Sequence, residues 1–273
     1  MFSFARTVVF AGMIAGIAAP AWAADLYEPP VEQAPAEPAY QPADVGGWYI
    51  RGDIDYHWMR MGGAPRYITT PGGYNEFSSY KLRGAPSLGL GVGYQVNDHF
   101  RVDLTGDYWF KSSFRGGTTG TGCGPTPCSS TEVSKMSTYL LLANAYADLG
   151  TCHGVTPYIG AGIGGAHVRW DRVYDPNTTE TNPGSSNWRF AYALMAGASY
   201  CLTDHWKLDA GYRFTHVQGG RMFDWDASSS GPGFDKGFNV HEVRGGLRYQ
   251  FGGGSSCTPP PAYEPTPEPV YTK

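Results

Sequence analysis

The stretch GWYIRGDIDYHWM, Gly47 to Met59, alternates between apolar and polar residues with little interruption. The even-numbered positions carry Trp48, Ile50, Ile54, Tyr56 and Trp58, and the odd-numbered positions carry Arg51, Asp53, Asp55 and His57. We call each set of alternate positions a parity. A period of two residues is typical of a β-strand with one apolar and one charged face. The kind of fold depends on what each of those faces contacts.

Seven further segments between Gly46 and Phe251 read as long strands: SLGLGVGYQV, FRVDLTGDYWFK, MSTYLLLANAYADLG, TPYIGAGIGGAHVRW, WRFAYALMAGASYCL, WKLDAGYRF and HEVRGGLRYQF. The segments that begin at Met136 and Thr156 alternate less regularly, and their faces stay unassigned. Short and long links alternate along the chain, and the long ones are 62–81, 112–135, 171–187 and 218–239. This rhythm predicts an all-β fold, an eight-stranded antiparallel up-and-down barrel with its long loops at one end.

Three features predict that the apolar faces point outward, into a membrane. The strands run for about ten residues, which matches the ~9–11 residues of a tilted transmembrane strand. Aromatic residues gather near the strand ends, as an interfacial girdle requires. The other parity carries cations and acids in near balance, which a closed lumen could pair. These residues are Arg51, Asp53, Asp55, Arg101, Asp103, Asp107, Lys111, Lys207, Asp209, Arg213, Glu242, Arg244 and Arg248. A soluble barrel with the charged faces outside is the alternative.

The two ends of the chain differ from this body. Residues 1–23 read as a secretory signal peptide, with MFSFAR, a short apolar run and the small-x-small cleavage site Ala21-Trp22-Ala23. Residues 24–45 and 252–273 are rich in Pro and Glu, and we expect them to form an extended linker and an extended tail. The barrel is therefore assigned to residues 46–251.

Export would place the cysteines in an oxidising compartment, where disulfides form. Cys123 and Cys128 flank the turn GPTP and are predicted to close a small loop. Cys152 and Cys201 form the next candidate pair, with free or partly reduced thiols as the alternative. Cys257 is then left over, because an odd number of cysteines cannot all pair within one chain.

The signal peptide followed by ADLYEPP, then GWYIRGDI in the first strand and LRYQF in the last, resembles a known group. It is similar to the small eight-stranded outer-membrane β-barrel proteins of alphaproteobacteria, the major surface-antigen and porin-like families. The resemblance spans Ala24 to Phe251. It implies residence in the outer membrane with both tails in the periplasm. It also implies contact with outer-membrane lipids and lipopolysaccharide, and insertion by the barrel-assembly machinery.

Two roles for particular residues follow from that resemblance. In such families the aromatic end of the last strand is the insertion signal, which Tyr249 and Phe251 match, although a tail follows them here. An exposed Ala-Asp start implies covalent attachment to peptidoglycan, which points to Ala24. An ordinary leader segment is the simpler alternative for Ala24.

Several patterns resemble catalytic or binding motifs, but simpler explanations are available. Gly160 to Gly165 fits G-x-G-x-x-G, yet no helical segment follows it, and small residues inside a narrow barrel explain it better. His99, His153 and His205 fall in short turns, where local hydrogen bonds are a better explanation than a metal site.

Enzymatic motifs are similarly incomplete. Gln218 stands two residues after His216, where a lipid A deacylase would need a nucleophilic Ser. Asp224 and Asp226 lie in the last long loop without partners at a catalytic spacing. We therefore expect no catalytic residue, cofactor or metal.

The functional prediction is a non-enzymatic barrel with a structural role in the envelope and at the cell surface. A small diffusion pore is the alternative from another class, and adhesion through loops such as MFDWDASSSGPGF or lipid A modification are further ones. The net charge of -4, without a dense basic run, argues against nucleic-acid binding.

Overall fold

The computed structural model describes residues 46–69, 73–120, 128–179, 181–226, 230–252 and 257. Strands and their connections account for all of these residues. The strands are β1 (Gly47–Met61), β2 (Arg66–Thr69), β3 (Gly73–Glu76), β4 (Ser79–Leu82), β5 (Ala85–Gln95), β6 (Phe100–Gly120), β7 (Cys128–Asp148), β8 (Val155–Trp170), β9 (Val173–Tyr174), β10 (Thr181–Asn182), β11 (Ser186–Cys201), β12 (Trp206–Val217), β13 (Gly220–Phe223), β14 (Ser230–Asp235) and β15 (Phe238–Phe251). Within the described ranges, no helix has the length and apolarity needed to cross a bilayer.

Eight long strands pair in a closed antiparallel ring. Around the ring they follow the order β7, β8, β11, β12, β15, β1, β5 and β6, and β6 pairs back onto β7. Seven of the eight pairings have a continuous register, and the β6–β7 pairing shifts once. For example, Trp48 of β1 lies opposite Phe251 of β15 and opposite Tyr94 of β5. These strands lie over the alternating segments of the sequence, and the all-β antiparallel architecture matches the sequence analysis.

The apolar parity of these strands faces outward. Ile54 is 65% exposed and Leu90 is 74% exposed, whereas Arg51 is 4% exposed and Asp55 is 3% exposed. A sheet that is apolar outside and charged inside is the reverse of a soluble barrel and is the pattern of strands in lipid. The alternation in Gly47–Met61 therefore places the charged residues in the lumen.

Aromatic side chains form two bands on the outer surface. Trp48, Tyr94 and Phe251 lie close together at the short-turn end, and Trp48 and Tyr94 pack edge to face at 5.4 Å between ring centroids. Trp58 and Trp188 are exposed toward the long-loop end. The ten-residue step from Trp48 to Trp58 spans about 34 Å along the strand and about 25 Å after tilting, the height of a membrane barrel's apolar band.

Two short turns have the same backbone geometry. In the first, Asn97 Oδ1 accepts hydrogen bonds from the backbone N–H groups of His99 and Phe100, each at 2.9 Å. In the second, Thr203 Oγ1 accepts from the N–H groups of His205 and Trp206, at 3.3 and 3.0 Å. The similarity of GYQVNDHFRVDL and SYCLTDHWKLDA thus reflects a shared turn, which is capped by Asn97 and Thr203 rather than by the neighbouring Asp residues.

The long connections are more regular than the sequence suggests. Strands β13, β14, β2 and β3 form a separate four-stranded sheet, which we call the cap. Strands β6 and β7 extend through most of 112–135 as a continuous pair, and β4 and β9 add to their edges. The loops of the predicted barrel are therefore largely built from β-structure.

One predicted lumen residue, Lys111, faces the other way. The register between β6 and β7 shifts between Trp109 and Ser112, which is a β-bulge that inserts one extra residue into β6. The bulge places Lys111 on the outer surface, where its Nζ lies 2.6 Å from Asp171 Oδ2. Strict alternation counted across the bulge assigned Lys111 to the interior, and that assignment is wrong.

Candidate functional site: the interior of the ring and its two ends

Arg213 lies at the centre of the interior. Its guanidinium contacts Asp107 at 2.9 Å and Glu242 at 2.5 Å, and Asp55 lies 3.8 Å away. All four side chains are fully buried. The four residues come from β1, β6, β12 and β15, so one guanidinium connects strands on different sides of the ring.

Arg244 and Arg51 extend these contacts along β15 and β1. Arg244 Nη2 lies 3.1 Å from Asp53 Oδ2, and its Nε lies 3.3 Å from Asp55 Oδ1. Arg51 donates from Nε and Nη2 to both oxygens of Asp53, at 2.9 and 2.7 Å, and reaches Asp103 at 3.3 Å. Bidentate pairs of this kind fix orientation as well as charge.

Arg101 and Arg248 occupy the half of the interior that lies nearer the short turns. Arg101 pairs with Asp148 at 3.1 Å, and its guanidinium lies over the rings of Tyr146 and Tyr158, at 4.3 and 4.5 Å. Arg248 pairs with Asp209 at 3.3 Å and also donates to Ser199 Oγ. Aromatic faces thus accept the cation where carboxylates do not surround it.

We call this set the charge network. It contains the twelve predicted residues other than Lys111, together with one residue that the sequence analysis missed, Asp148. Its members are Arg51, Asp53, Asp55, Arg101, Asp103, Asp107, Asp148, Lys207, Asp209, Arg213, Glu242, Arg244 and Arg248, each at most 6% exposed. Asp148 shares the inward parity of Asn144 and Tyr146 on β7, a pattern that the sequence carries but that irregular neighbours obscure.

Inward-facing glycines leave room for these large side chains. A Cβ at Gly246 would collide with Asp53 Oδ1, and a Cβ at Gly93 would collide with the ring of Tyr49. The same close packing explains the Gly160 to Gly165 stretch, which continues as strand β8 through Trp170. A Cβ at Gly160 would meet the ring of Tyr146.

The long-loop half of the interior is mainly apolar instead. Phe114 packs edge to face against Phe77 and Trp170, with ring centroids 5.9 and 5.5 Å apart. Residues from strand ends and from the connections meet here, and we call the group the apolar plug. It comprises Met59, Phe77, Leu82, Trp109, Phe114, Met136, Trp170, Met222, Phe223 and Phe238, each at most 6% exposed.

A buried ion pair fastens the cap to the ring wall. Arg189 of β11 donates from Nη1 to both oxygens of Asp235 of β14, at 2.8 Å each, and from Nη2 to the carbonyl of Arg221. Burial raises the pKa of Asp235, although the Arg189 guanidinium acts in the opposite direction. The pair links the end of the cap strand to the top of the ring.

The short-turn end corrects one predicted disulfide. Cys201 is bonded to Cys257, and Cys152 is an exposed free thiol whose Sγ lies 3.1 Å from His153 Nδ1. The predicted Cys152–Cys201 pair is wrong because the chain after β15 leaves the ring beside the turn that follows Cys201. Gln250 N donates to the carbonyl of His205 in that turn. Cys123 lies outside the described residues.

The remaining predicted sites are placed as follows. Tyr249 and Phe251 pack edge to face at the short-turn end of β15, and Tyr249 also contacts Trp206. Ala24 lies outside the described residues. Among the described His, Cys, Asp and Glu residues, no three come together as a metal site would require.

The residues that we weighed as enzymatic have local partners. His216 Nδ1 lies 2.7 Å from Asn239 Oδ1, and its ring stacks on Tyr192. Asp224 pairs with the exposed Arg221 at 2.9 Å. Asp226 lines a small pocket of about 130 Å³ beside the cap, together with Tyr67, Glu132 and Asn182.

A closed antiparallel ring with an apolar outer face and a charged interior is the architecture of membrane-spanning β-barrels. Residues 10–251 match the family described as outer membrane protein beta-barrel domain, and the chain belongs to that family. Membership in this family implies localisation in the outer membrane.

Relatives and solved structures agree with this family. The chain is 40% identical over 290 residues to an uncharacterized protein of Brucella abortus, covering 90% of this chain and 98% of the relative. It is 30% identical over 145 residues to the outer membrane protein PagN of Salmonella typhimurium, covering 50% and 59%. The crystal structure of the outer membrane protein OprG from Pseudomonas aeruginosa is similar, with a TM-score of 0.53 and 16% identity, covering 76% of this chain and 98% of that chain.

Proposed function

We propose that this protein is an integral, eight-stranded outer-membrane barrel that conducts no appreciable current and performs no catalysis. Its role is to hold a folded cap at the cell surface and to contribute to the integrity of the envelope. The observation that carries this proposal is the filled interior, in which the charge network and the apolar plug occupy successive levels of one ring.

The filled interior weighs against the pore alternative. An eight-stranded ring is only wide enough for its own side chains. The central guanidinium, Arg213, is fully buried and is paired on several sides. Above it, Phe114 and Trp170 are 1% and 2% exposed. An ion would have to displace both an ion-pair cluster and an aromatic layer.

Planar-bilayer recording tests this proposal. The mature protein, refolded in detergent, should first show a shift in gel migration on boiling, which establishes that the barrel has formed. Once inserted, it should give no stable conductance steps at neutral pH. Large, steady steps from heat-modifiable protein would contradict the proposal and favour a diffusion channel.

The orientation that we propose places both chain ends and the short turns in the periplasm, with the cap outside. It follows from the rule that barrels of this kind have short periplasmic turns and longer extracellular loops. In this orientation the Cys201–Cys257 disulfide lies on the periplasmic side, where such bonds persist.

We also propose that Ala24 joins the protein to peptidoglycan, as the resemblance to barrels with an Ala-Asp start implies. A periplasmic amino-terminal arm would allow this attachment. Mass spectrometry of muropeptides after lysozyme digestion should then find a peptide that begins at Ala24 and carries a wall fragment. Recovery of only the free amino terminus would remove this part of the proposal.

Adhesion is the second candidate function. A relative of Rickettsia canadensis, 30% identical over 143 residues and covering 50% of this chain and 62% of the relative, is named a putative adhesin. The long-loop end of this chain exposes Tyr74 and Trp225, at 67% and 48%. Binding of cells that display the protein to host-cell monolayers, compared with a Tyr74→Ala and Trp225→Ala double variant, distinguishes this role.

A further inference from the structure

We propose that Lys81, Arg83, Arg115, Lys135 and Arg169 form a binding surface for the phosphorylated headgroup of an outer-leaflet glycolipid. We call these five residues the cationic patch. The proposal rests on the outer-membrane residence and on the orientation argued above, and it adds a ligand class and a location on the wall.

The patch lies on the outer face of adjacent strands. Lys81 and Arg115 are direct cross-strand partners of β4 and β6, and both are exposed. Arg83 donates its backbone N–H to the carbonyl of Ser113, and Ser113 lies opposite Lys135 of β7. Arg169 of β8 lies opposite Ser137, two residues farther along β7. The five cations therefore occupy a continuous area that crosses four strands.

Within the part of the chain that the structure describes, these cations form no ion pair of their own, and the nearby Asp171, which donates its backbone N–H to the carbonyl of Lys135, is paired with Lys111 instead. Among the described residues, none of the five has a carboxylate oxygen within ion-pairing distance, whereas the exposed Lys111 pairs with Asp171 and the exposed Lys236 pairs with Glu76. Glu132, the acid of β7 at this level, lies on the inward parity and accepts a hydrogen bond from Ser130. Like charges directly opposite on a sheet, such as Lys81 and Arg115, destabilise the pairing unless an anion lies between them.

The height of the patch points to a lipid. Tyr139 and Leu141 on β7 are 56% and 52% exposed and belong to the apolar outer band. Lys135 lies four residues beyond Tyr139, about 13 Å along the strand, and less in height once the strand is tilted. This is the level at which lipid headgroups begin.

The patch has two tiers, which favours a large headgroup. Arg83, Lys135 and Arg169 lie nearer the apolar band, and Lys81 and Arg115 lie two residues farther out along their strands. A phospholipid headgroup layer adds only about 5–7 Å on each side of the hydrocarbon core. A phosphorylated glycolipid, whose acidic sugars extend outward, reaches both tiers. Phosphates prefer arginine forks and lysine ammonium groups of this kind.

The opposite side of the ring provides a contrast. At the same level, β15 presents Asn239 and His241 on its outer face, and β1 presents one exposed cation, Arg60, opposite Asn239. The exposed cations at this level are therefore concentrated on the wall formed by β4, β6, β7 and β8, where five of them lie together.

Lipid binding to the folded, full-length mature protein tests the proposal. Heat-modifiable migration first establishes that each variant has inserted, so that a failure of the barrel itself is seen separately. The probes are bisphosphorylated lipid A, the same lipid A after dephosphorylation, and phosphatidylglycerol, measured by native mass spectrometry from detergent. Lys81→Gln with Arg115→Gln is the test variant, and Lys236→Gln with Arg221→Gln removes the same charge from the cap as its matched control.

The test variant should bind bisphosphorylated lipid A about thirtyfold more weakly, because each of the two cations near an anionic surface contributes about fivefold. The control should bind like the original chain, and dephosphorylated lipid A should bind weakly to all three. Equal binding by the test and control variants would overturn the proposal. So would a soluble sulfated oligosaccharide that displaces lipid A and binds the original chain more tightly, because the patch would then serve a polysaccharide.

Discussion

The two halves of the ring interior fill the same cylinder in opposite ways. From the centre to the short turns, the charge network surrounds its arginines with carboxylates or aromatic faces, as around Arg213 and Arg101. Near the long loops, aromatic and aliphatic side chains pack as in a soluble core, as around Phe114. The difference shows that only the half near the short turns follows the usual polar-lumen pattern of membrane barrels.

This difference has a cause in the connections. The charge network is built from ring strands alone, since its members all lie in β1, β6, β7, β12 and β15. The apolar plug also uses Phe77, Met222 and Phe223, which belong to the segments that form and follow the cap strands. The plug therefore couples the cap to the ring, whereas the charge network couples ring strands to one another.

The largest effect is expected from breaking the charge network at its centre. Arg213→Met would leave Asp107, Glu242 and Asp55 buried without their shared cation, which should lower the free energy of unfolding by about 4–5 kcal/mol. Urea titration of the refolded protein in lipid vesicles measures this change. Lys236→Met is the control, because its pair with Glu76 is exposed and should contribute less than about 0.5 kcal/mol. If Arg213→Met lowered the free energy of unfolding no more than the control does, the charge network would not be a major source of the barrel's stability.

Breaking the apolar plug should have a somewhat smaller and more local effect. Phe114→Ala removes a buried ring from between Phe77 and Trp170, which typically costs about 3–4 kcal/mol. The cap should become sensitive to proteases at low protease concentration, while the boiling-dependent gel shift of the ring persists. Loss of the gel shift together with the protease resistance of the cap would mean that the two halves unfold as one unit.

The difference between the halves also explains what the sequence could predict. The long antiparallel strands, and the faces of six of them, followed from alternation, because an apolar surface on one side and charge on the other impose a strict period of two. The β7 segment was ambiguous because it borders the plug: Leu140 and Leu142 face inward while Tyr139 and Leu141 face outward. Where both faces are apolar, alternation disappears, and Asp148 was missed for that reason.

Other features depend on contacts that sequence spacing does not encode. The bulge that turns Lys111 outward is a matter of register between β6 and β7. The Cys201–Cys257 bond depends on where the chain leaves β15. The cap depends on pairing between segments far apart in sequence, such as β2 with β14. Each of these features depends on contacts between residues far apart in sequence, whereas the alternation of strand faces depends on neighbouring residues.

The smallest effect is expected at the boundary between the two halves. Thr215 is fully buried, and its hydroxyl donates to Glu242 Oε2 at 3.2 Å. Val217, two residues farther along β12, belongs to the buried apolar cluster, so Thr215 lies where the polar and apolar halves meet. Thr215→Val keeps the shape and removes one hydrogen bond to a charged acceptor, so unfolding should become easier by about 1–2 kcal/mol. Glu242 keeps its bonds to Arg213, which is why the loss stays well below that of Arg213→Met. The same urea titration checks it, and Thr215→Ser, which keeps the donor, should recover the hydrogen-bond part of the loss. A Thr215→Val protein as stable as the original would show that the hydrogen bond from Thr215 contributes nothing to stability. The polar half of the interior would then begin at Glu242 rather than at Thr215.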